Sequence, residues 1–166
     1  MSSSKELVSA NTAYLRQLSH LLSSLGAAKY TRTDTELVPS SVGKHVRHVL
    51  DFYGCFLSGL PGGHINYGAR TRETDIETDP GAALGRIDRV TEELDGIADE
   101  GNANRSVAVS GDAGSAASTV GRELDHLAAH TVHHFALIAA IFRAFRWTIP
   151  EDFGKAPSTI RFESGN

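Results

Sequence analysis

Residues His126-Leu-Ala-Ala-His130-Thr-Val-His133-His134 place four imidazoles in nine positions, within an apolar period that predicts one long helix from about Thr119 to Phe145. At about 100° per residue, a wheel drawn with His134 at its origin puts Val120, Leu127, Leu137, Ile138, Ile141 and Phe145 within roughly 60° of it, and His130 falls in the same stripe. His130 and His134 therefore point toward the core. His126 and His133 lie roughly 80° to 100° away, on the flank of the helix. A third ligand cannot come from this helix: His126 and His134 are separated by about 12 Å of rise, while metal–nitrogen bonds span about 2 Å.

The other histidine-bearing segment is Ser40-Ser-Val-Gly-Lys-His45-Val-Arg-His48-Val-Leu-Asp-Phe-Tyr53. It opens on serines suited to N-capping and carries a helical apolar period through Val42, Val46, Val49, Leu50, Tyr53, Phe56 and Leu57. Periodicity does not choose between its two imidazoles, because His48 borders the apolar stripe and His45 lies nearer its centre. A lone histidine on an apolar face is more often a core residue than a ligand, and an HxxxH without the Glu of the H-E-x-x-H pattern is common. Two such histidines at i, i+4 are costly to desolvate unless each finds a partner.

These residues, together with Ser41-Val-Gly-Lys-His-Val-Arg-His48-Val-Leu-Asp51, Gly121 through Ile138, and the closing Pro150-Glu-Asp-Phe-Gly-Lys-Ala-Pro-Ser-Thr-Ile-Arg-Phe162, resemble the DinB/YfiT-like superfamily over most of the chain. The resemblance implies an all-α, up-down-down-up four-helix bundle, with residues 1–166 as one domain. It also implies a divalent metal held by one histidine of the second helix and two of an HxxxH on the last. Carried onto this chain, those ligands are His48, His130 and His134. Many members follow the final histidine with Arg-Gly-Gln, where this chain has Phe135-Ala-Leu137.

Elsewhere, Lys5 to Leu25 reads as the first helix, stopped at Gly26, and a polar connection follows through Thr31 to Pro39. Leu60 to Arg72 is rich in helix breakers and reads as a long loop. Its His64, Tyr67 and two arginines suit a surface loop that packs Tyr67 and exposes its charges, with a wall of a substrate pocket as the alternative. Pro80 to Ala98 reads as the third helix. Arg105 to Ser110 alternates as a brief strand or extended strip. Gly111 to Ser118 reads as a flexible lead into the last helix, capped by Ser118 or Thr119. The tail carries Trp147, Ile149, Phe153, Ile160 and Phe162 and is expected to fold against the bundle. Glu123 on the inner face calls for an arginine or helix-terminus partner in preference to a role as base. Asp51, Asp125 and His45 are candidates to orient an imidazole.

With 16 basic against 20 acidic residues and a formal charge of −4, and no basic cluster of groove size, nucleic acid is not an expected partner. A single cysteine, Cys55, excludes an internal disulfide and reads as a buried, inert thiol. The absence of a signal peptide or membrane-length apolar run gives a cytoplasmic expectation without membrane association. Three neutral imidazoles would leave an ion its charge and an open position, as in catalytic zinc sites. The expectation is thus a metalloenzyme using zinc or nickel on a small-molecule substrate. Resemblance adds use of a low-molecular-weight thiol in S-transfer, and a homodimer. A metal-dependent hydrolase is the enzymatic rival, and a non-catalytic metal-binding or stress-response protein is the rival of a different class.

Overall fold

The computed structural model describes residues 3–34, 36, 39–98, 103–111 and 114–165, without the side chains of residues 157 and 158. Four long helices carry the architecture: α1 (Ser4–Ser23), α3 (Val42–Gly59), α5 (Pro80–Ala98) and α6 (Val120–Ala144). The helices α2 (Ala27–Tyr30), α4 (Thr74–Thr78) and α7 (Pro157–Glu163) are short. Both α1 and α3 pack against α5 and against α6, so α1 stands diagonally opposite α3, and α5 opposite α6, in the expected up-down-down-up bundle.

Local chemistry sets the helix starts. Ser3 and Glu6 close a reciprocal capping box on α1, Ser41 accepts from the Lys44 amide of α3, and Thr119 accepts from the Arg122 amide of α6. The core between them is filled by Leu15, Leu18 and Leu22 of α1, Val46, Val49, Tyr53 and Phe56 of α3, Ile87, Val90 and Leu94 of α5, and Leu124, Leu127, Phe135 and Ile138 of α6, all essentially inaccessible. One polar knot crosses that core. Asn11 donates to the carbonyls of Leu7 and Leu124 at 2.8 and 2.9 Å, and the Tyr53 hydroxyl donates to Asn11 Oδ1 at 2.7 Å. The Thr131 hydroxyl lies 3.2 Å from that of Tyr53 and 2.8 Å from the Leu127 carbonyl. A fully paired buried network of this kind fixes one register of α1, α3 and α6, directly beside His130.

A three-stranded sheet in the order β1 (His64–Asn66), β2 (Ser106–Gly111), β3 (Gly114–Thr119) covers one end of the bundle's α3 and α6, with β1 parallel and β3 antiparallel to β2. Two expectations are corrected here. The stretch Gly111–Ser118 is not a flexible lead but mostly strand, its residues 112 and 113 lying outside the described part; three residues of the loop 60–72 are also a strand. The lone buried side chain of β1, Ile65, and the small exposed side chains of β3 give no alternation to read; backbone pairing with β2 makes them strands. Gly59 permits the arrangement, since a Cβ there would strike the His64 carbonyl and sit 2.8 Å from the Ile65 Cα.

Further corrections concern α6 and the tail. Helix α6 is, by length and composition, long and apolar enough to cross a membrane, where no such run was expected; its apolar stripe is spent on the bundle core. Leu137, placed on the inner stripe by the wheel, is exposed. In the tail, Phe153 stacks on Phe135 at 4.3 Å and Trp147 on Phe145 at 4.8 Å, but Phe162 is 85% exposed. The connection 31–39 includes residues 35, 37 and 38, which lie outside the described part.

Candidate metal centre

One ring nitrogen each from His48, His130 and His134 falls within 4.8 Å of the other two, close enough together that the group could hold a metal ion. Tertiary packing of α3 on α6 brings them together, with ring centres 5.0 Å apart for His48 and His130 and 4.6 Å for each of the other two pairs. None of the three hydrogen-bonds to either of the others among the described residues. The Phe52 ring, one turn on from His48, lies flat against His130 at 4.1 Å and 21° and sets its plane.

Burial is the first cause of the electrostatics. It lowers the pKa of His134 to about 3, with neighbouring His130 and His48 adding to the effect, and that of His130 to about 4, with His48 and His126 adding. His48 is lowered by burial and then by the Arg70 and Arg47 guanidinium groups. All three rings are neutral near pH 7, the state in which imidazole can offer a lone pair. His130 Nδ1 is buried and has no hydrogen-bond partner. An unpaired nitrogen in a set of three neutral donors is the pattern a cation would complete, and the donor set suits zinc, nickel, copper or iron rather than calcium or magnesium.

The remaining histidines divide clearly. His45 Nδ1 lies 3.0 Å from His134 Nδ1, so of the candidates to orient an imidazole it is His45 that contacts a ring of the cluster. Asp51 instead pairs with Arg47 at 3.0 Å. His126 stands 6.1 Å from His130, ring to ring, and against Tyr67 at 5.6 Å. His133 is exposed, and His64 meets Ser110 at 3.0 Å in the sheet. Cys55 is buried and its pKa is raised, chiefly by burial and then by Asp51, so the thiol stays protonated and unreactive.

The stretch 60–72, read first as a surface loop and only alternatively as a pocket wall, closes the site from the sheet side. Tyr67 stacks on Phe52 at 5.0 Å and donates its hydroxyl to Glu123 Oε2 at 2.9 Å. Glu123, 1% exposed, also accepts from Ser118 at 2.6 Å and pairs with Arg122 at 3.2 Å, which uses the carboxylate structurally, as expected. Arg70 does not follow the surface-loop expectation: its Nη1 lies 3.2 Å from His48 Nδ1. An aromatic, two arginines and a histidine in one breaker-rich stretch were the available signal.

The bundle is shared with solved structures of low sequence identity. YfiT from Bacillus subtilis, described as a probable metal-dependent hydrolase with an unusual four-helix bundle topology, is 12% identical, with a TM-score of 0.69 over 87% of this chain and 89% of its own. A DinB-like protein of Bacillus subtilis, YjoA, is 18% identical, with a TM-score of 0.64 over 90% of this chain and 99% of its own. FK506-binding protein 5 of Rhizopus delemar is 32% identical over 108 residues, 58% of this chain; the chain spans 27% of that protein's length. The family model of the DinB superfamily matches residues 12–138, from the first bundle helix through the HxxxH of the last. On that match, which takes in every histidine of the cluster, the chain belongs to the DinB superfamily.

Proposed function

We propose that this protein is a metal-dependent hydrolase of small molecules, with His48, His130 and His134 as the three ligands of one divalent ion. The observation that carries the reading is the convergence of three neutral imidazole nitrogens within 4.8 Å, one of the rings having a buried nitrogen with no other partner. The description of YfiT as a probable metal-dependent hydrolase supports hydrolysis as the reaction class. A divalent ion so held would supply a Lewis acid able to lower the pKa of water, or of a thiol in the S-transfer reading, to near neutrality.

The chain's own groups prepare that chemistry. His45 holds the His134 ring through the contact between their Nδ1 atoms. With the proton on His134 Nδ1, its Nε2 lone pair is left free for the ion, the usual task of a partner behind a ligating histidine. Phe52 and Tyr67 wall one side of the site with apolar faces, which limits access of water and strengthens local electrostatics. Burial, with the neighbouring His48 and His126 adding to it, also keeps His130 unprotonated well below neutral pH.

Metal uptake by protein prepared without a histidine tag tests the ligand set. Wild type should take up one divalent ion per chain, and His48→Ala, His130→Ala and His134→Ala should each abolish tight uptake. His126→Ala should leave uptake intact, and His45→Ala should weaken it by about 10- to 100-fold. The opposite ranking of His48 and His126, or no uptake by wild type, would overturn the reading. With the ion loaded, turnover of ester and amide substrates that needs no added thiol, and is lost in His134→Ala, separates hydrolysis from S-transfer.

A further inference from the structure

Arg70 stands beside the site with no carboxylate in ion-pair contact among the described residues, Asp51 feeling its charge only from farther off. Its Nη1 is 3.2 Å from His48 Nδ1, its guanidinium carbon is 5.6 Å from the centre of the Phe52 ring, and its Nε is buried with no hydrogen-bond partner. The neighbouring arginines are neutralised: Arg47 by Asp51 and Glu77 at 3.0 and 2.8 Å, and Arg122 by Glu123. Arg70 makes no ion pair among the described residues. A guanidinium is charged at every accessible pH, and a neutral imidazole answers one N–H without answering the charge. A half-buried cation with an unpaired donor is costly unless a ligand completes it.

The hydrogen bond to His48 sharpens the point. Arg70 can donate to His48 Nδ1 only while that nitrogen keeps its lone pair. If His48 gives this lone pair to an ion, the bond to Arg70 is lost. If it uses Nε2 instead, Nδ1 carries a proton that faces the guanidinium N–H. Either way a cation in the histidine cluster releases Arg70, and two positive charges then share one partly buried pocket, which is unfavourable until an anion lies between them.

The scaffold holds Arg70 where such an anion would arrive. Tyr67 is tied to Ser110 through its amide at 3.0 Å and to Glu123 through its hydroxyl, and the Ala69 amide donates to the Asn66 carbonyl at 3.2 Å. Phe52 and Tyr67 give the adjoining wall an apolar, aromatic face. One guanidinium, whose charge Asp51 already feels, favours a single negative charge over a phosphate dianion. The side-on fork of Nε and a terminal nitrogen matches the two oxygens of a carboxylate.

We propose that Arg70 receives a carboxylate carried by the substrate, so that the small molecule acted on at the histidine cluster is a carboxylic acid with an apolar or aromatic body. The proposal rests on the metal reading for its place in the reaction, but its test does not. Benzoate and the uncharged isostere benzamide are titrated into the protein, with binding followed by NMR and metal content measured separately by competition with a chelating dye. Metal-loaded wild type is expected to prefer benzoate at least tenfold. Arg70→Gln should erase that preference while keeping its metal and its thermal midpoint. Arg70→Lys, which keeps the charge without the fork, should lose most of the preference and serves where Arg70→Gln does not fold. A wild type without preference, or an Arg70→Gln variant that retains it, overturns the proposal. Loss of metal from Arg70→Gln also overturns it, by making Arg70 a positioning residue for His48. If wild type takes up no metal, the hydrolase reading falls, and the benzoate-to-benzamide ratio of metal-free wild type against Arg70→Gln still decides the role of Arg70.

Discussion

Lowering the pH from 7 to 5 should destabilise the metal-free protein through the histidine cluster, and the size of the effect can be worked from the site. An unfolded histidine titrates near 6.5, whereas His130 and His134 in the fold titrate near 4 and 3, because burial disfavours the imidazolium and each ring would sit beside other histidines. Folded pKa values below the unfolded ones mean that the unfolded chain binds more protons between pH 6.5 and about 3, so stability is lost as the pH falls through that window. The linkage relation gives about 1.8 kcal/mol for each ring over these two units. Both rings keep some contact with water, and solvent screening brings the pair to about 2 kcal/mol. His45 and His48, also lowered by burial, act in the same direction.

The assay is urea unfolding in the presence of a chelator at pH 7, 6 and 5, followed by far-ultraviolet circular dichroism. Carboxylates with ordinary pKa values stay mostly ionised across this range, and Asp51, raised by burial, acts in the opposite direction to the histidines, since a folded pKa above the unfolded one adds stability as the pH falls. A His130→Gln/His134→Gln variant should lose most of the pH dependence. A wild type whose stability changes by less than about 0.5 kcal/mol between pH 7 and 5 would refute the electrostatic description of the cluster, as would a double variant with an unchanged slope.

Two substitutions probe the supports of the site. Tyr53→Phe removes the donor to Asn11 Oδ1 and leaves a fully buried acceptor unpaired, so it should cost about 1–3 kcal/mol in urea unfolding; a neutral effect would show the polar knot to be dispensable. Gly43→Ala should gain about 1 kcal/mol in helix propensity, but its Cβ would collide with the Glu77 carbonyl and come within 2.8 Å of Tyr30. Overpacking costs of about 3 kcal/mol win, giving a net loss of about 2 kcal/mol, and a stabilised variant would mean that α4 is free to move off α3.

The helices and the histidines were legible because their signals are local and periodic. The α5 limits, Pro80–Ala98, coincide with the expected ones, since a proline suited to the first turn and apolar residues three and four apart mark that helix by themselves. The wheel placed His130 and His134 on the inner face of α6 and put His133 outside. It could not rank His45 against His48, because both border the same groove: one ring comes to lie in the cluster and the other against His134. That distinction is one of tertiary depth, which a helical projection does not contain.

The middle strand β2 was legible from the alternation of Arg105 to Ser110, but β1, β3 and the contact of Arg70 were not, for a related reason, and together they show how the site depends on non-local pairing. Strand β3 has small exposed side chains and β1 has three residues, so neither has a hydrophobic pattern to betray it; each exists because β2, about 40 residues from β1, supplies backbone partners. Without the parallel pairing of β1 on β2, nothing in the sequence 60–72 would turn Tyr67 onto Phe52 or carry Arg70 to His48. The loop that reads as a surface excursion is therefore the element that gives the histidine cluster its only unneutralised guanidinium among the described residues. A substitution that unpairs this sheet, such as Val107→Asp on the buried side of β2, should disturb binding at the site before it melts the bundle, because the core that Val107 and Ile65 share is filled mostly by side chains of the long helices. Protein that keeps its helical content and metal uptake yet loses the benzoate preference would bear this out, whereas simultaneous loss of all three would show that the sheet and bundle fold as one unit.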